Sequence, residues 1–76
     1  VYNPADIGRN LLGEEIEVSG NLKFSKQVEE NYLYSLEGSR GKVVVRSKKQ
    51  LEEGRRAIQG VVKDMENIVF VEHLHS

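Results

Sequence analysis

The amino-acid sequence predicts a mostly β domain, a small five-stranded Greek-key barrel with a short N-terminal helix and a short helical turn between the third and fourth strands. Apolar and polar residues alternate along several separate stretches, which is the period of half-buried strands. Glycines and polar clusters separate these stretches, as in small all-β folds. With 76 residues the chain suits one such domain. We expect residues 1–76 to form a single domain of a longer protein, because the chain begins at Val1 and not at Met.

The opening segment NPADIGRNLLG predicts the short helix. Asn3 is a good N-cap, Pro4 suits the first helical position, and Gly13 would end the helix. Ile7 and Leu11 share one face, so we expect this helix to close one end of the core.

The first strand is predicted from Glu15 to Phe24, where the alternation is clear. Gly20 falls on the apolar face in the middle of the strand, where a glycine marks a bulge or a tight bend. The segment SKQVEEN, residues 25–31, has no strand pattern and reads as a polar loop. The residues predicted to point inward are Ile16, Val18, Leu22 and Phe24.

A hairpin follows, formed by YLYSLEG and the strand Lys42–Arg46 and joined by the glycine-containing turn EGSRG. The alternation predicts that Tyr32, Tyr34, Leu36, Val43 and Val45 point inward. The outward positions are Leu33, Ser35, Lys42, Val44 and Arg46.

The connector SKKQLEEG carries a serine and a glutamine at the spacing of a capping box, Ser47 and Gln50, and so predicts one helical turn ended by Gly54. The fourth strand, RRAIQGVVKD, places Ile58, Gly60 and Val62 on one face. The fifth, NIVFVEHL, is apolar on both faces, and KDMEN forms the turn between the two. We expect Phe70, like Phe24, to be a core residue.

This order of strands resembles the OB-fold, the oligonucleotide- and oligosaccharide-binding barrel. The resemblance covers roughly residues 13–74 and is carried by GEEIEVSGNLKF, by the hairpin YLYSLEGSRGKVVV, and by LEEGRRAIQGVVKD with NIVFVEHL. The phrase LEEGRRAIQGVV is similar to a segment of tRNA-anticodon-binding-like OB domains. An SH3-like barrel, with shorter strands, is the alternative architecture.

The resemblance implies a binding face on strands two and three, between the loop joining strands one and two and the loop joining strands four and five. On such faces cations follow the phosphates of a single strand. The candidate nucleic-acid-binding residues are Arg40, Lys42, Arg46, Lys48, Lys49, Leu33 and Ser35.

Charge is unevenly distributed along the chain. Residues 40–56 hold seven basic and two acidic residues, a net charge of +5, whereas the whole chain carries -1. The low pI of about 6.1 argues against strong sequence-independent nucleic-acid binding. We therefore expect weak binding of single-stranded DNA or RNA. Two alternatives stay open. Either the cations serve only solubility, or the barrel is a structural or protein-interaction domain whose partner adds to a strand edge or docks on Leu33 and Val44.

The sequence offers no catalytic or cofactor motif. It has no cysteine, no glycine-rich phosphate loop and no serine elbow, so we expect a domain that is not an enzyme and has no cofactor. His73 and His75 form a His-x-His pair, but two ligands alone do not make a metal site. No stretch resembles a signal segment or a membrane span, so we expect no membrane contact by this domain, and the compartment stays open.

Overall fold

Five strands form a closed barrel in the computed structural model, which describes residues 1–74. Around the barrel the strand order is β1-β2-β3-β5-β4, and β4 pairs again with β1. Neighbouring strands are antiparallel except β3 and β5, which run parallel. The predicted five-stranded Greek-key barrel is confirmed. The strands are β1 (Glu15–Val28), β2 (Asn31–Glu37), β3 (Lys42–Ser47), β4 (Gly54–Met65) and β5 (Ile68–His73).

The barrel interior is filled by the inward residues that the alternation predicts. Tyr34 is 2% exposed, and its partner on β3, Val45, is fully buried. Side chains buried to 1% exposure or less include Val18, Leu22, Leu36, Val45, Ile58, Val62 and Val71. Burial of this apolar surface is the main stabilising contribution available to a chain without disulfides.

Two glycines permit the close approach of neighbouring strands. A Cβ on Gly60 would lie 2.4 Å from the Glu72 carbonyl oxygen, and one on Gly20 would lie 2.7 Å from the Glu37 carbonyl oxygen. Near Gly20, β1 changes partner, since it pairs with β4 up to Leu22 and with β2 from Asn21 onward. The irregularity in the pairing of β1 with β2 lies further along, between Phe24 and Lys26, and not at Gly20.

The N-terminal helix is present as two 3₁₀ turns, Pro4–Asp6 and Arg9–Leu11. The Asn3 amide donates to the Asp6 carboxylate at 3.1 Å, and extended backbone at Gly8 separates the two turns. Leu11 packs on the core as expected. Ahead of the turns, Tyr2 forms an isolated parallel bridge with Val18, which extends the pairing along the edge of β1.

The helical turn predicted between β3 and β4 is wrong: residues 48–53 contain no helix. The buried Ser47 hydroxyl instead accepts a hydrogen bond from the Lys49 amide at 3.1 Å and donates to the Lys49 carbonyl at 2.7 Å. Further along, the Leu51 amide donates to the Tyr34 hydroxyl at 2.7 Å. The Ser47 and Tyr34 hydroxyls thus form hydrogen bonds with backbone groups of Lys49 and Leu51 that a helical turn would have paired with other backbone groups.

The loop predicted at residues 25–31 is also wrong, because β1 continues to Val28 and only Glu29 and Glu30 form the turn to β2. This part of the β1–β2 hairpin is exposed and extends past the core. Phe24, expected in the core, is 48% exposed for that reason. Its ring meets the Tyr34 ring edge-on, with centroids 5.7 Å apart.

The β4–β5 hairpin has a turn of two residues, Glu66 and Asn67, shorter than the five-residue KDMEN segment. Their φ angles are 53° and 68°, as a type I′ turn requires. The Asn67 amide donates to the Asp64 carboxylate at 3.1 Å, which fixes the turn.

Candidate functional site

A groove of about 640 Å³ crosses the outer face of the barrel between the β1–β2 and β4–β5 hairpins. We call it the hairpin groove. Its floor is made by β2, β3 and β5, and its two walls are the ends of the hairpins. The floor includes Leu33, Ser35, Val44 and Phe70; the walls include Lys26, Val28 and Glu29 on one side and Met65, Glu66 and Ile68 on the other.

Strand register builds the floor. Ser35 pairs with Val44, and Val44 pairs with Phe70, so one row of side chains crosses three strands. The next row is formed by Leu33, Arg46 and Glu72. Because side chains alternate along each strand, both rows point away from the barrel interior.

A bulge at Ser25 orients Lys26 toward the groove. Phe24 pairs with Tyr34 and Lys26 pairs with Leu33, so Ser25 is left as the extra residue of β1. Lys26 therefore shares the outward face of Leu33, whereas Phe24 shares the inward face of Tyr34. Bulges commonly redirect side chains in this way.

Four of the seven candidate binding residues line the hairpin groove: Leu33, Ser35, Lys42 and Arg46. The other three do not. Arg40 lies in the exposed turn before β3, while Lys48 and Lys49 are exposed directly after it. The structure thus places these three cations at the two ends of β3, outside the groove.

Arg46 is held in place by two contacts. Its Nε donates to Oε1 of Glu72 at 2.8 Å, and its terminal nitrogen forms a second bond to the same oxygen. Its Cζ lies over the Phe70 ring, 4.7 Å from the ring centroid, which is the geometry of a cation–π contact. Phe70 is buried as the sequence predicts, at 5% exposure, but it lies beneath Arg46 on the outer face.

The electrostatic character of the groove is only mildly basic. Lys26, Lys42 and Arg46 line it together with Glu29 and Glu66, and the Arg46 charge is already paired with Glu72. The basic segment 40–56 does not form one continuous surface, because Arg55 and Arg56 belong to β4. There the Arg56 guanidinium donates to the Glu52 carbonyl at 2.9 Å.

Sequence reasoning missed Met65 and Ile68, which are 48% and 59% exposed at the rim of the groove. The available signal was the run from Ile68 to Val71, which is apolar at both parities. Such a run shows that one set of side chains must lie outside the barrel, but it does not say which set. The structure places Val71 in the interior and Ile68 and Phe70 along the groove.

Metal and membrane sites find no support in residues 1–74. Within this range no group of three or more His, Cys, Asp or Glu side chains is placed to hold a metal ion. His73 Nδ1 lies 3.5 Å from the Ser47 hydroxyl, and His75 is outside the described residues. No helix among the described residues is long and apolar enough to cross a membrane.

Comparison with known proteins gives a match in structure alone. No family model and no curated protein matches the sequence. The fold is similar to part of asparaginyl-tRNA synthetase from Pyrococcus horikoshii in its complex with asparaginyl-adenylate, with a TM-score of 0.78 and 18% identity over 96% of this chain. A second structure of that synthetase gives a TM-score of 0.78 and 16% identity over 93% of this chain.

The chain corresponds to 20% and 21% of the two synthetase chains, about a fifth of their length. At this level of identity the match concerns the fold. It agrees with the closed five-stranded barrel described above. The barrel is therefore an OB-fold, as the sequence predicts.

Proposed function

We propose that this domain is a non-enzymatic nucleic-acid-binding module that holds a short single-stranded segment in the hairpin groove. The observation that supports this most directly is the groove itself, an apolar floor between two hairpins with Lys26 and Lys42 among its lining residues. The similarity in fold to an enzyme named for tRNA is in keeping with such a ligand.

A single strand suits this groove better than a duplex. Unpaired bases have free faces that can pack on apolar side chains, here Leu33 and Val44, while lysines contact the phosphates. In a duplex the bases are stacked on one another and their faces are not available. Since few unpaired cations line the groove, we expect weak binding that falls further as salt rises.

The cations outside the groove have a secondary role in this proposal. Arg40, Lys48 and Lys49 are exposed at the two ends of β3, where they attract the flanks of a longer strand without contacting its central bases. Their contribution is then mainly long-range attraction, which salt screens strongly.

The experiment is a fluorescence-anisotropy titration of labelled single-stranded DNA and RNA, with a duplex of the same sequence, at low and physiological salt. We expect Lys42→Glu and Lys26→Glu to weaken single-strand binding. Arg55→Glu is the matched control, because it makes the same charge change at an exposed position of β4 outside the groove. Arg46→Glu is a poor choice, since it would set a second carboxylate beside Glu72.

Two results would contradict this proposal. Equal losses of single-strand affinity in Lys42→Glu, Lys26→Glu and Arg55→Glu would show that binding depends only on net charge. Unchanged binding in both groove variants would place the ligand elsewhere. Both outcomes are distinct from a folding defect, which circular dichroism of each variant reports.

A protein ligand in the same groove is the second candidate, favoured by the apolar walls. Val28, Met65 and Ile68 are 42%, 48% and 59% exposed, and exposed apolar clusters of this kind commonly mark protein-binding surfaces. In that case Leu33→Asp and Ile68→Asp would abolish capture of a partner. Capture would also survive nuclease treatment and physiological salt, which nucleic-acid binding of the proposed kind would not.

A further inference from the structure

We propose that Arg46 binds an unpaired base by stacking and does not serve as a phosphate contact. This inference rests on the function proposed above and assigns a particular group of the ligand to one side chain. It departs from the expectation from sequence, in which Arg46 is one of several phosphate-binding cations.

The first argument is the position of the guanidinium. Phe70 lies beneath it at 4.7 Å, and Glu72 holds its edge through two hydrogen bonds. The Glu72 side chain is only 16% exposed and also lies 3.9 Å from Lys63 Nζ. A guanidinium fixed from below and from one edge has lost most of its rotational freedom before any ligand arrives, so stacking on it carries a small entropic cost.

The second argument is charge. A phosphate that bound Arg46 would have to compete with a carboxylate already bonded at 2.8 Å. A base stacked on the open face of the guanidinium leaves those bonds intact. Arg46 retains 23% of its side-chain surface exposed and lines the groove, and arginine planes are known stacking surfaces for unpaired bases.

The third argument is what surrounds Arg46. In the register of the sheet, Arg46 lies beside Leu33, and Leu33 lies beside Lys26. A single row across three strands thus offers a stacking surface, an apolar neighbour and a lysine that the bulge has turned outward. A nucleotide with its base on Arg46 then has Lys26 available in the same row for its phosphate.

The test uses short labelled oligonucleotides in which one abasic nucleotide is moved along the sequence. The wild-type domain should bind the oligonucleotide with the abasic site at one position about fivefold or more weakly than the intact one, the lower range of base stacking on a side chain. Arg46→Lys keeps the charge and removes the guanidinium plane. This variant should bind the intact oligonucleotide about as weakly as the wild-type domain binds the abasic one, and it should no longer distinguish the intact from the abasic oligonucleotide. The slope of log K against log salt should not change in this variant, because no phosphate contact is lost.

Glu72→Gln provides an independent variant. It frees the guanidinium from its ion pair, so we expect a steeper salt dependence and weaker discrimination of the abasic site. If Arg46→Lys does not fold, this variant and the wild-type abasic series still decide the question.

The proposal is overturned if no abasic position matters, or if Arg46→Gln lowers the salt slope by about 0.7, the value of one single-strand phosphate contact. Failure of the proposed function gives a different result. In that case the wild-type domain binds no oligonucleotide at low salt, whereas failure of this inference alone leaves wild-type binding intact.

Discussion

Phe24 and Lys26 are two residues apart on β1, yet their side chains point to opposite faces of the sheet. In a regular strand, residues at this spacing share one face. Ser25 is the extra residue that separates them, since Phe24 pairs with Tyr34 and Lys26 with Leu33. This one bulge allows Lys26 to line the hairpin groove although Phe24, two residues earlier, points inward.

Deletion of Ser25 should be tolerated. It makes Phe24 and Lys26 adjacent in a regular strand, and adjacent side chains of such a strand point to opposite faces. Phe24 and Lys26 would keep their partners, and we expect a loss of at most about 2 kcal/mol of unfolding free energy from the altered strand twist. Deletion of Glu17 from the regular, core-facing part of β1 is the control and should prevent folding, since it turns either Ile16 or Val18, both buried, to the wrong face. Thermal unfolding followed by circular dichroism measures both. A Ser25 deletion as damaging as the control would show that the bulge itself is needed to close the barrel.

Gly60→Ala should destabilise the barrel. The new Cβ would lie 2.4 Å from the Glu72 carbonyl oxygen and 2.6 Å from a Val71 methyl group, so β4 and β5 would have to separate. We expect a loss of about 2 kcal/mol or more in chemical denaturation. At Gly8 the same change meets only the Asn10 side-chain oxygen at 3.3 Å and should alter stability by no more than about 0.5 kcal/mol. Similar values for the two variants would mean that the strands are not closely apposed at Gly60.

Tyr34→Phe should loosen the connector between β3 and β4. The Tyr34 hydroxyl accepts a hydrogen bond from the Leu51 amide at 2.7 Å, and its loss should cost about 1–2 kcal/mol. Faster amide hydrogen exchange at Leu51 would localise the effect. Tyr32→Phe is the control, a half-buried tyrosine on the same strand. Unchanged exchange at Leu51 in the Tyr34 variant would contradict the role given to this hydroxyl.

Lys42→Ala should affect binding more than Lys48→Ala or Lys49→Ala, because only Lys42 lines the groove. For Lys42→Ala we expect the slope of log K against log salt to fall by about 0.7, the loss of one phosphate contact on a single strand. The other two variants should lower affinity by less than Lys42→Ala at low salt and reduce the slope by less. A larger slope change at Lys48 or Lys49 would move the phosphate path toward the end of β3.

The barrel interior could be predicted from the sequence because its signal is periodic. Val43 and Val45 point inward as expected, and so do Ile58 and Val62. The signal ends where the core ends. Residues 23–30 are exposed, so neither face selects apolar side chains, and nothing in the pattern distinguishes a protruding hairpin from a loop.

The candidate site was only partly predictable for a related reason. The outward parity of Leu33, Ser35, Lys42 and Arg46 follows from alternation along two strands. The pairing of Arg46 with Glu72 and Phe70 depends on the parallel contact between β3 and β5, which joins distant parts of the sequence. Local pattern also favoured a helical turn after Ser47, where hydrogen bonds from Ser47 and Tyr34 determine the structure.

The parallel contact between β3 and β5 has a consequence for how the chain folds during synthesis. The antiparallel pairs β1–β2 and β2–β3 join neighbouring segments and can form early. The last gap in the barrel closes only when β5 inserts between β3 and β4, and β5 is the last of the five strands to leave the ribosome. Until then β3 and β4 each present an unpaired edge, which is a template for association with other chains. The interval between the emergence of β4 and the emergence of β5 is therefore when the nascent chain is most exposed to misassembly.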